Sequence, residues 1–410
     1  MKKVEVLFRG WGQDWLLGTL AQAGTELLFE YSAQALDRGI EYSKLLFPLR
    51  REAYGRMPGF PAHLSFLPGF VADALPDGWG LLLMDRLIRK AGQDPAAVSP
   101  LDRLSFIGDR AMGALAFRPS AELPLAEAEL SLLEIAHAAR EVEGDIDTAA
   151  LLALAVVGGS PHGARPKALA ALDGGVPWLV KFAARGEHRE VCAIEDAYAA
   201  AARSCGVDMP PSRHFALDAH LSAFAVQRFD RSGELRIPVQ SFAAALGADF
   251  RLPSLDYREV LRATRYFTND EQAVRQAYAR CVFNVVFNNR DDHAKNFALR
   301  MDKESLRWTL APAYDLTFSS GPRGQHQTSV MGEGAAPGRE HLLALARDVQ
   351  VPERIAVAAI DQVCAAADPL AAALDDGGVR KTTRATIDAA VRRNVQRAVT
   401  PAAVPRPRRR

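Results

Sequence analysis

The octapeptide Asn289-Arg290-Asp291-Asp292-His293-Ala294-Lys295-Asn296 follows, after Asn288, an apolar, helix-forming run, Cys281–Phe287. An apolar helix of this kind belongs in a core, so the charged loop at its end is held close to the interior and its polar groups must be satisfied or used. Asp291 and Asn296 are five positions apart. A carboxylate at the first position can accept the proton of a substrate hydroxyl, and an amide oxygen one loop turn later can ligate a divalent cation without adding charge. Downstream, Leu310-Ala311-Pro312-Ala313-Tyr314-Asp315 follows a strand-like Trp308-Thr309-Leu310 and brings a second carboxylate.

Asp-x-x-x-x-Asn is the spacing of a kinase catalytic loop, and Asp315 would then hold the Mg2+ that bridges ATP phosphates. Two other readings compete. An isolated Asp-His-Lys-Asn cluster is also at home in a capped, solvated turn. Asp-Asp-His further suits metal-dependent phosphohydrolases, but these need more histidines on neighbouring helices, and His63, His137, His162, His188, His214, His220, His326 and His341 show no paired ligand spacing. Only the kinase reading also gives Asp315 a task.

Lys181 supports it. It lies among apolar neighbours in the strand-like Trp178-Leu179-Val180-Lys181-Phe182, where a kinase lysine would neutralise α- and β-phosphates. A strand lysine can equally be an edge residue whose head reaches water. Glu195 or Asp196, on the Ala-rich helix expected over about 191–205, would be its acidic partner. The loop Gly158-Gly159-Ser160-Pro161-His162-Gly163, with Lys167 four residues on, matches neither standard phosphate-loop pattern. Its backbone N–H groups can cradle phosphates, or it can be a plain connection between hairpin strands.

At 410 residues the chain exceeds a single core, so two or three lobes are expected. Strands are expected at Val4–Phe8 and Glu26–Tyr31, a helix over Ala72–Lys90, and a turn element over Leu104–Pro119 ending in the strand-like Ala114–Phe117. Residues 120–146 read as helical, and two strands flank Asp173-Gly174-Gly175. A further β-like segment covers Phe224–Phe229, and beyond Phe242 the pattern is helical apart from a loop-rich stretch at 288–338. Lys plus Arg number 50 against 49 Asp plus Glu, a net charge of +1, which argues against a general nucleic-acid or membrane-surface binder. The run Ala149–Val157 is too short for a bilayer, no longer one is evident, and no leader is expected, so the expectation is cytoplasmic with no membrane contact. The four cysteines form no CxxC pair, so neither a disulfide framework nor a structural metal is expected.

Together these residues resemble the HipA serine/threonine kinases, toxins of bacterial toxin–antitoxin modules, across roughly residues 1–390. Leu75-Pro76-Asp77-Gly78-Trp79-Gly80 and Leu104–Pro119 are similar to that family's N-terminal domain. Gly158-Gly159-Ser160 with Gly163-Ala164-Arg165-Pro166-Lys167 resembles its nucleotide loop. Asn289–Asn296, Pro312–Asp315 and His326-Gln327-Thr328-Ser329-Val330-Met331-Gly332-Glu333-Gly334 resemble its catalytic half. The resemblance implies an α+β, kinase-like two-lobed fold: a mixed α/β N-terminal lobe with a small β-rich N-terminal domain, and a mainly helical C-terminal lobe. The corresponding boundaries are 1–120, 121–231 for the nucleotide-binding lobe, 232–395 for the catalytic lobe, and 396–410 for a basic tail expected to be disordered.

By the same resemblance Asp291 would be the catalytic base, Asn296 and Asp315 Mg2+ ligands, and Lys181 a phosphate contact. Gly159, Ser160, Gly163, Lys167, His293 and Lys295 would face the nucleotide, and Gln227 and Phe229 would belong to the hinge under adenine. Ser160 would be an autophosphorylation site. The implied cofactors are ATP and Mg2+. The implied partners are a small HipB-like DNA-binding antitoxin, operator DNA through that antitoxin, and a protein substrate such as an aminoacyl-tRNA synthetase. Pro161-His162 is bulkier than the small residues usual in such a loop, and Gln227 stands where an acidic residue is common. A related kinase acting on a small molecule or lipid headgroup, or a silent ATP-binding regulator, are the alternative functions.

Overall fold

The computed structural model describes residues 2–24, 26–55, 60–120, 131–142, 147–159 and 162–400. The chain divides into two compact units, each assembled from three segments. One contains residues 1–192, 210–249 and 297–311; the other contains 193–209, 250–296 and 312–410.

The first unit opens with an antiparallel sheet. Strand Lys2–Phe8 lies between Trp15–Ala23 and Leu115–Arg118, and Glu26–Tyr31 forms the far edge. Val4, Val6 and Phe8 alternate inward, as a half-buried strand requires, and a bulge between Val6 and Leu7 breaks the register. Aromatic rings fill its core: Phe8 stacks on Trp15 at 4.7 Å, and Phe29 meets Phe70 edge-on at 5.4 Å. Helix Pro100–Ile107, opened by a Ser99–Asp102 capping box, packs on this sheet.

A second antiparallel sheet orders its strands as Lys167–Leu172, Val176–Phe182, Ser222–Gln227 and Ser212–Ala216. Helices Gly78–Lys90, Leu132–Glu141 and Thr148–Gly158 join it in one core, where Trp79, Leu83, Ile135, Leu151 and Leu154 meet Val180, Phe182 and Ala225. Trp79 and Leu83 share a helix face by their i, i+4 spacing. Each side chain of this size contributes roughly 1.5–3 kcal/mol when removed from water. Three short strands, Val239–Ser241, Ala298–Met301 and Trp308–Leu310, complete the unit.

The second unit is mainly helical. Helix Tyr257–Thr268 starts at a capping box in which Asp256 and Glu259 satisfy each other's backbone donors, and it buries Tyr257, Val260, Leu261, Thr264 and Phe267. Helix Glu271–Val286, capped by Asp270, is buried along nearly its whole second half. Helices Arg339–Asp348, Glu353–Ala365, Leu370–Asp376 and Lys381–Val399 follow. A short parallel pair joins Leu255–Asp256 to Thr328–Ser329.

Several expectations need adjustment. The helix expected from Ala72 begins at Gly78, because Pro76 cannot continue a helix; Gly69–Ala72 is a separate short turn of helix. Leu104–Ile107 is helical rather than turn. Of 120–146, helix Leu132–Glu141 is described, while 121–130 and 143–146 lie outside the described residues, as do most of the basic tail, 401–410, and the loop residues Ser160 and Pro161. By length and composition the stretch Glu353–Asp376, at 24 residues, could cross a membrane, contrary to the expectation from sequence. It is broken at 366–369 into two helices, and Ala356, Ile360, Val363, Leu370 and Leu374 are buried in the second unit.

Candidate active site

The buried helix Glu271–Val286 delivers the charged loop. After it, Phe287 caps the last turn and Asn288 turns the chain in the left-handed region (φ 55°), which asparagine tolerates. Asn288 exchanges hydrogen bonds with Ser319: its side-chain amide donates to the Ser319 carbonyl at 2.9 Å, and the Ser319 N–H donates to the Asn288 carbonyl at 3.1 Å. Asn289 is buried and donates to the Asn284 side chain at 3.0 Å.

Asp291 and Asp292 then part company. Asp292 is 1% exposed. Its Oδ2 accepts from the Tyr257 hydroxyl at 2.9 Å and contacts His326 Nδ1 at 2.8 Å, and its Oδ1 accepts the Gln327 and Thr328 N–H groups at 2.9 and 3.3 Å. Burial pushes the Tyr257 phenol far above its ordinary range and the Asp292 charge adds to this, so Tyr257 remains a donor. Asn284 in turn donates to the Tyr257 oxygen at 2.8 Å. A buried charge supplied with this many donors is a structural anchor.

Asp291, by contrast, has a half-exposed side chain. Its Oδ1 accepts from the Gln327 side-chain amide at 2.9 Å and lies 3.8 Å from His293 Nε2. Asn296 donates its side-chain N–H to the Asp291 carbonyl at 2.6 Å, which closes the loop upon itself. Desolvation pushes the Asp291 carboxyl above its ordinary value; the His293 charge opposes this, the charges of Asp315 and Asp292 add to it, and the Gln327 amide opposes it. Asp315 is therefore close enough for its charge to be felt. It sits in the left-handed region (φ 57°), on a loop where the neighbouring Tyr314 hydroxyl donates to the Lys295 carbonyl. Phe250 packs against two loop side chains, its ring 4.2 Å from Lys295 Nζ and 5.6 Å from the His293 ring.

In the first unit, Lys167 and Lys181 are directly opposed across an antiparallel pair, so their side chains share a face of the sheet. They are 5% and 7% exposed, unusual for lysine. Phe224 is opposite Lys181 on the next strand, its ring 5.8 Å from Nζ. Lys167 Nζ donates to the His162 carbonyl, and Gly159 and Gly163 both have positive φ. Ser160 lies outside the described residues. Glu195 is buried, whereas Asp196 is half-buried and within electrostatic reach of Arg203.

The segment Gln227–Arg231, expected as a hinge, is tied down firmly. Arg228 grips Asp230 with two hydrogen bonds of 2.8 Å, while Arg231 and the Gly113 N–H each donate to Asp230 at 2.8 Å. Gln227 and Phe229 are half-buried.

Asp291, His293, Asn296 and Asp315 thus gather in one unit, and Gly163, Lys167 and Lys181 in the other. On sequence grounds Asp292, Tyr257, Asn284 and Gln327 carried no assigned role, and His326 no partner. A signal existed for two of them: His326-Gln327-Thr328-Ser329 is a polar run next to glycines in a chain where such runs are costly to bury.

A half-exposed aspartate in a loop closed by asparagine, a second aspartate within electrostatic reach, and a separate antiparallel sheet carrying buried lysines sit in a fold of the kinase-like α+β class. The chain belongs to the HipA family: residues 10–118 match the HipA N-terminal domain and residues 159–370 the HipA-like C-terminal domain. Its fold is similar to that of HipA from Shewanella oneidensis MR-1, solved with HipB and its operator DNA, with a TM-score of 0.70 over 96% of each chain at 17% identity. It is also 27% identical over 201 residues to Y4dM of Sinorhizobium fredii, named as a candidate kinase. That alignment takes in 45% of this chain, and the chain spans about half (48%) of the length of this curated relative.

Proposed function

We propose that this protein is a HipA-type kinase that transfers the γ-phosphoryl group of ATP to a serine or threonine hydroxyl of another protein. The observation that carries the reading is the placement of Asp291, half-exposed, oriented by Gln327 and Asn296, and beside Asp315. Asp291 would accept the proton of the attacking hydroxyl. Phosphoryl transfer has a loose transition state, so orientation and charge neutralisation contribute more than covalent help.

The residues present fit Mg2+. Asn296 uses its N–H on the Asp291 carbonyl, which leaves its amide oxygen as a hard donor, and Asp315 adds a carboxylate. An ion held by these two groups would complete its shell with phosphate oxygens and water. Bound there, Mg2+ would neutralise charge on the phosphate oxygens. Lys181, with Glu195 as the better buried of its two candidate partners, would meet the phosphates together with Gly159, Gly163 and Lys167. Gln227 and Phe229 would border the base, and His293 and Lys295 would face the nucleotide from the catalytic loop. The expected boundaries of the nucleotide-binding and catalytic parts, 121–231 and 232–395, belong to this reading.

Family resemblance extends the proposal. Transfer to Ser160 would be a self-limiting step, since a phosphate there adds nearly two negative charges beside the phosphate-binding loop. The protein substrate would be a translation component such as an aminoacyl-tRNA synthetase. A small HipB-like DNA-binding antitoxin would restrain the kinase in the cytoplasm and carry it to operator DNA. The Shewanella complex supports that partner, and a net charge of +1 suits DNA contact made mainly through it.

The test is intact-mass spectrometry after incubation with Mg·ATP, beside Asp291→Asn. Gain of one phosphoryl group by the wild type, reduced roughly a hundredfold or more in rate in the variant, is expected. A wild-type protein that neither gains phosphate nor is thermally stabilised by Mg·ATP would overturn the reading.

A further inference from the structure

Asp77 occupies the N-cap position of helix Gly78–Lys90 with extended backbone, yet its side chain makes no cap hydrogen bond to that helix. An N-cap aspartate normally satisfies the N–H of the second or third helical residue. Here its Oδ1 instead accepts the N–H of Gly163, in the loop before strand Lys167–Leu172. Two residues along, the Trp79 N–H donates to the Gly163 carbonyl at 3.0 Å. Both backbone polar groups of Gly163 are thus held by one tripeptide, 86 residues away in the chain.

Gly78, between the two contacts, makes the approach possible. Its φ is +43°, and a Cβ there would come within 2.5 Å of the Gly163 carbonyl oxygen and 2.8 Å of the Ala164 Cα. Those are backbone atoms, so any side chain at position 78 would displace the loop. On the other side of Gly163, a Cβ would lie 2.6 Å from Lys167 Nζ. The ammonium donates to the carbonyl of His162, the residue before Gly163, so its position follows the clamped backbone.

We propose that Asp77-Gly78-Trp79 is a clamp that fixes the glycine loop at Gly163 and so makes ATP affinity depend on the N-terminal domain, with Asp77 as a positioning residue. The nucleotide part of this inference rests on the kinase reading; the clamp itself does not. An unclamped glycine has the widest backbone freedom of any residue, and ordering it on binding costs conformational entropy. A Gly163 backbone already held in the free protein spares nucleotide binding that cost.

The test uses Asp77→Ser and Asp77→Asn in the full-length chain. Serine is a good N-cap with a shorter reach, so it preserves the helix start while releasing Gly163; asparagine retains an acceptor oxygen at the same distance. Hydrogen exchange of the Gly163 amide and titration with Mg·ATP are the readouts. In Asp77→Ser the amide is expected to exchange about tenfold faster or more, and the apparent Kd for ATP to rise about tenfold, with the kinetic effect on KM for ATP rather than on kcat. Asp77→Asn is expected to stay within about threefold of wild type on both. Unchanged exchange in Asp77→Ser would overturn the clamp, and faster exchange with unchanged ATP affinity would overturn its nucleotide role. Equal losses in both variants would reduce Asp77 to a structural part and likewise overturn the proposal. If the wild type binds no ATP, the kinase reading fails, and the exchange result still decides the clamp.

Discussion

Gln327 donates its side-chain amide to Oδ1 of Asp291 across 2.9 Å, although 36 positions separate them in sequence. The contact depends on the neighbouring acid: the Gln327 backbone N–H is bound by Asp292, which is itself fixed by Tyr257 and His326. Two adjacent aspartates therefore differ in place, Asp292 as a buried anchor and Asp291 as the half-exposed candidate base.

Removing the amide should loosen Asp291 without unfolding the unit. Gln327→Ala is expected to lower kcat about tenfold with ATP affinity nearly unchanged. Gln327→Glu should lower it further, because a carboxylate then faces a carboxylate. Asp292→Ala, which strands several buried donors, should instead cost about 3 kcal/mol of stability or more. Steady-state kinetics beside urea unfolding separates these outcomes. Equal activity in Gln327→Ala and wild type would remove Gln327 from the site.

Asp315 holds its carboxylate from a left-handed backbone. Asparagine adopts that conformation readily and alanine does not, at a cost of roughly 1–2 kcal/mol. Both Asp315→Asn and Asp315→Ala should lose the thermal stabilisation given by Mg·ATP, while only the alanine variant also loses about 1 kcal/mol of intrinsic stability. Denaturation with and without Mg·ATP reads the two effects apart.

Asp230 predicts a pH dependence in the first unit. Burial alone would raise its carboxyl, but the charges of Arg228 and Arg231 and the Gly113 N–H hold it well below the usual carboxylate range. A group whose pKa is depressed on folding adds stability above its unfolded value of about 4, and that contribution is lost as pH falls toward the folded value. At pH 7, Asp230→Asn should therefore destabilise by about 3 kcal/mol or more, since it leaves buried guanidinium charge behind. The gap between variant and wild type should narrow as pH drops from 5 to 3. A gap independent of pH would show that Asp230 acts only through packing.

Much of the charged loop at 289–296 was legible because its pattern is local. Asp291 and Asn296 stand out by their five-residue spacing and Asp315 by its place after a strand-like segment, while the apolar helix ahead of the loop needs only periodicity to be seen. Asp292 was not legible, since nothing local distinguishes a buried aspartate from the exposed one beside it; the difference lies in Tyr257 and His326, each more than 30 positions away. The Asp77 contact was hidden for the same reason, and also because aspartate before a helix already has an ordinary explanation as a cap. The premature helix start at Ala72 has a simpler cause, an apolar run extended across Pro76. The α+β, kinase-like fold was implied by the resemblance to the HipA kinases; periodicity supplied only individual strands early in the chain and helices late in it.

The two units interleave, each taking three separate segments of the chain. During synthesis the first unit lacks its last strands, Ala298–Met301 and Trp308–Leu310, until the ribosome has translated through residue 311. By then, residues 193–209 and 250–296 of the second unit, including Asp291 and Asn296, have already been made. No single cut in the reading frame separates the two units, and the candidate catalytic loop is always translated before the three-stranded sheet of the first unit can be completed.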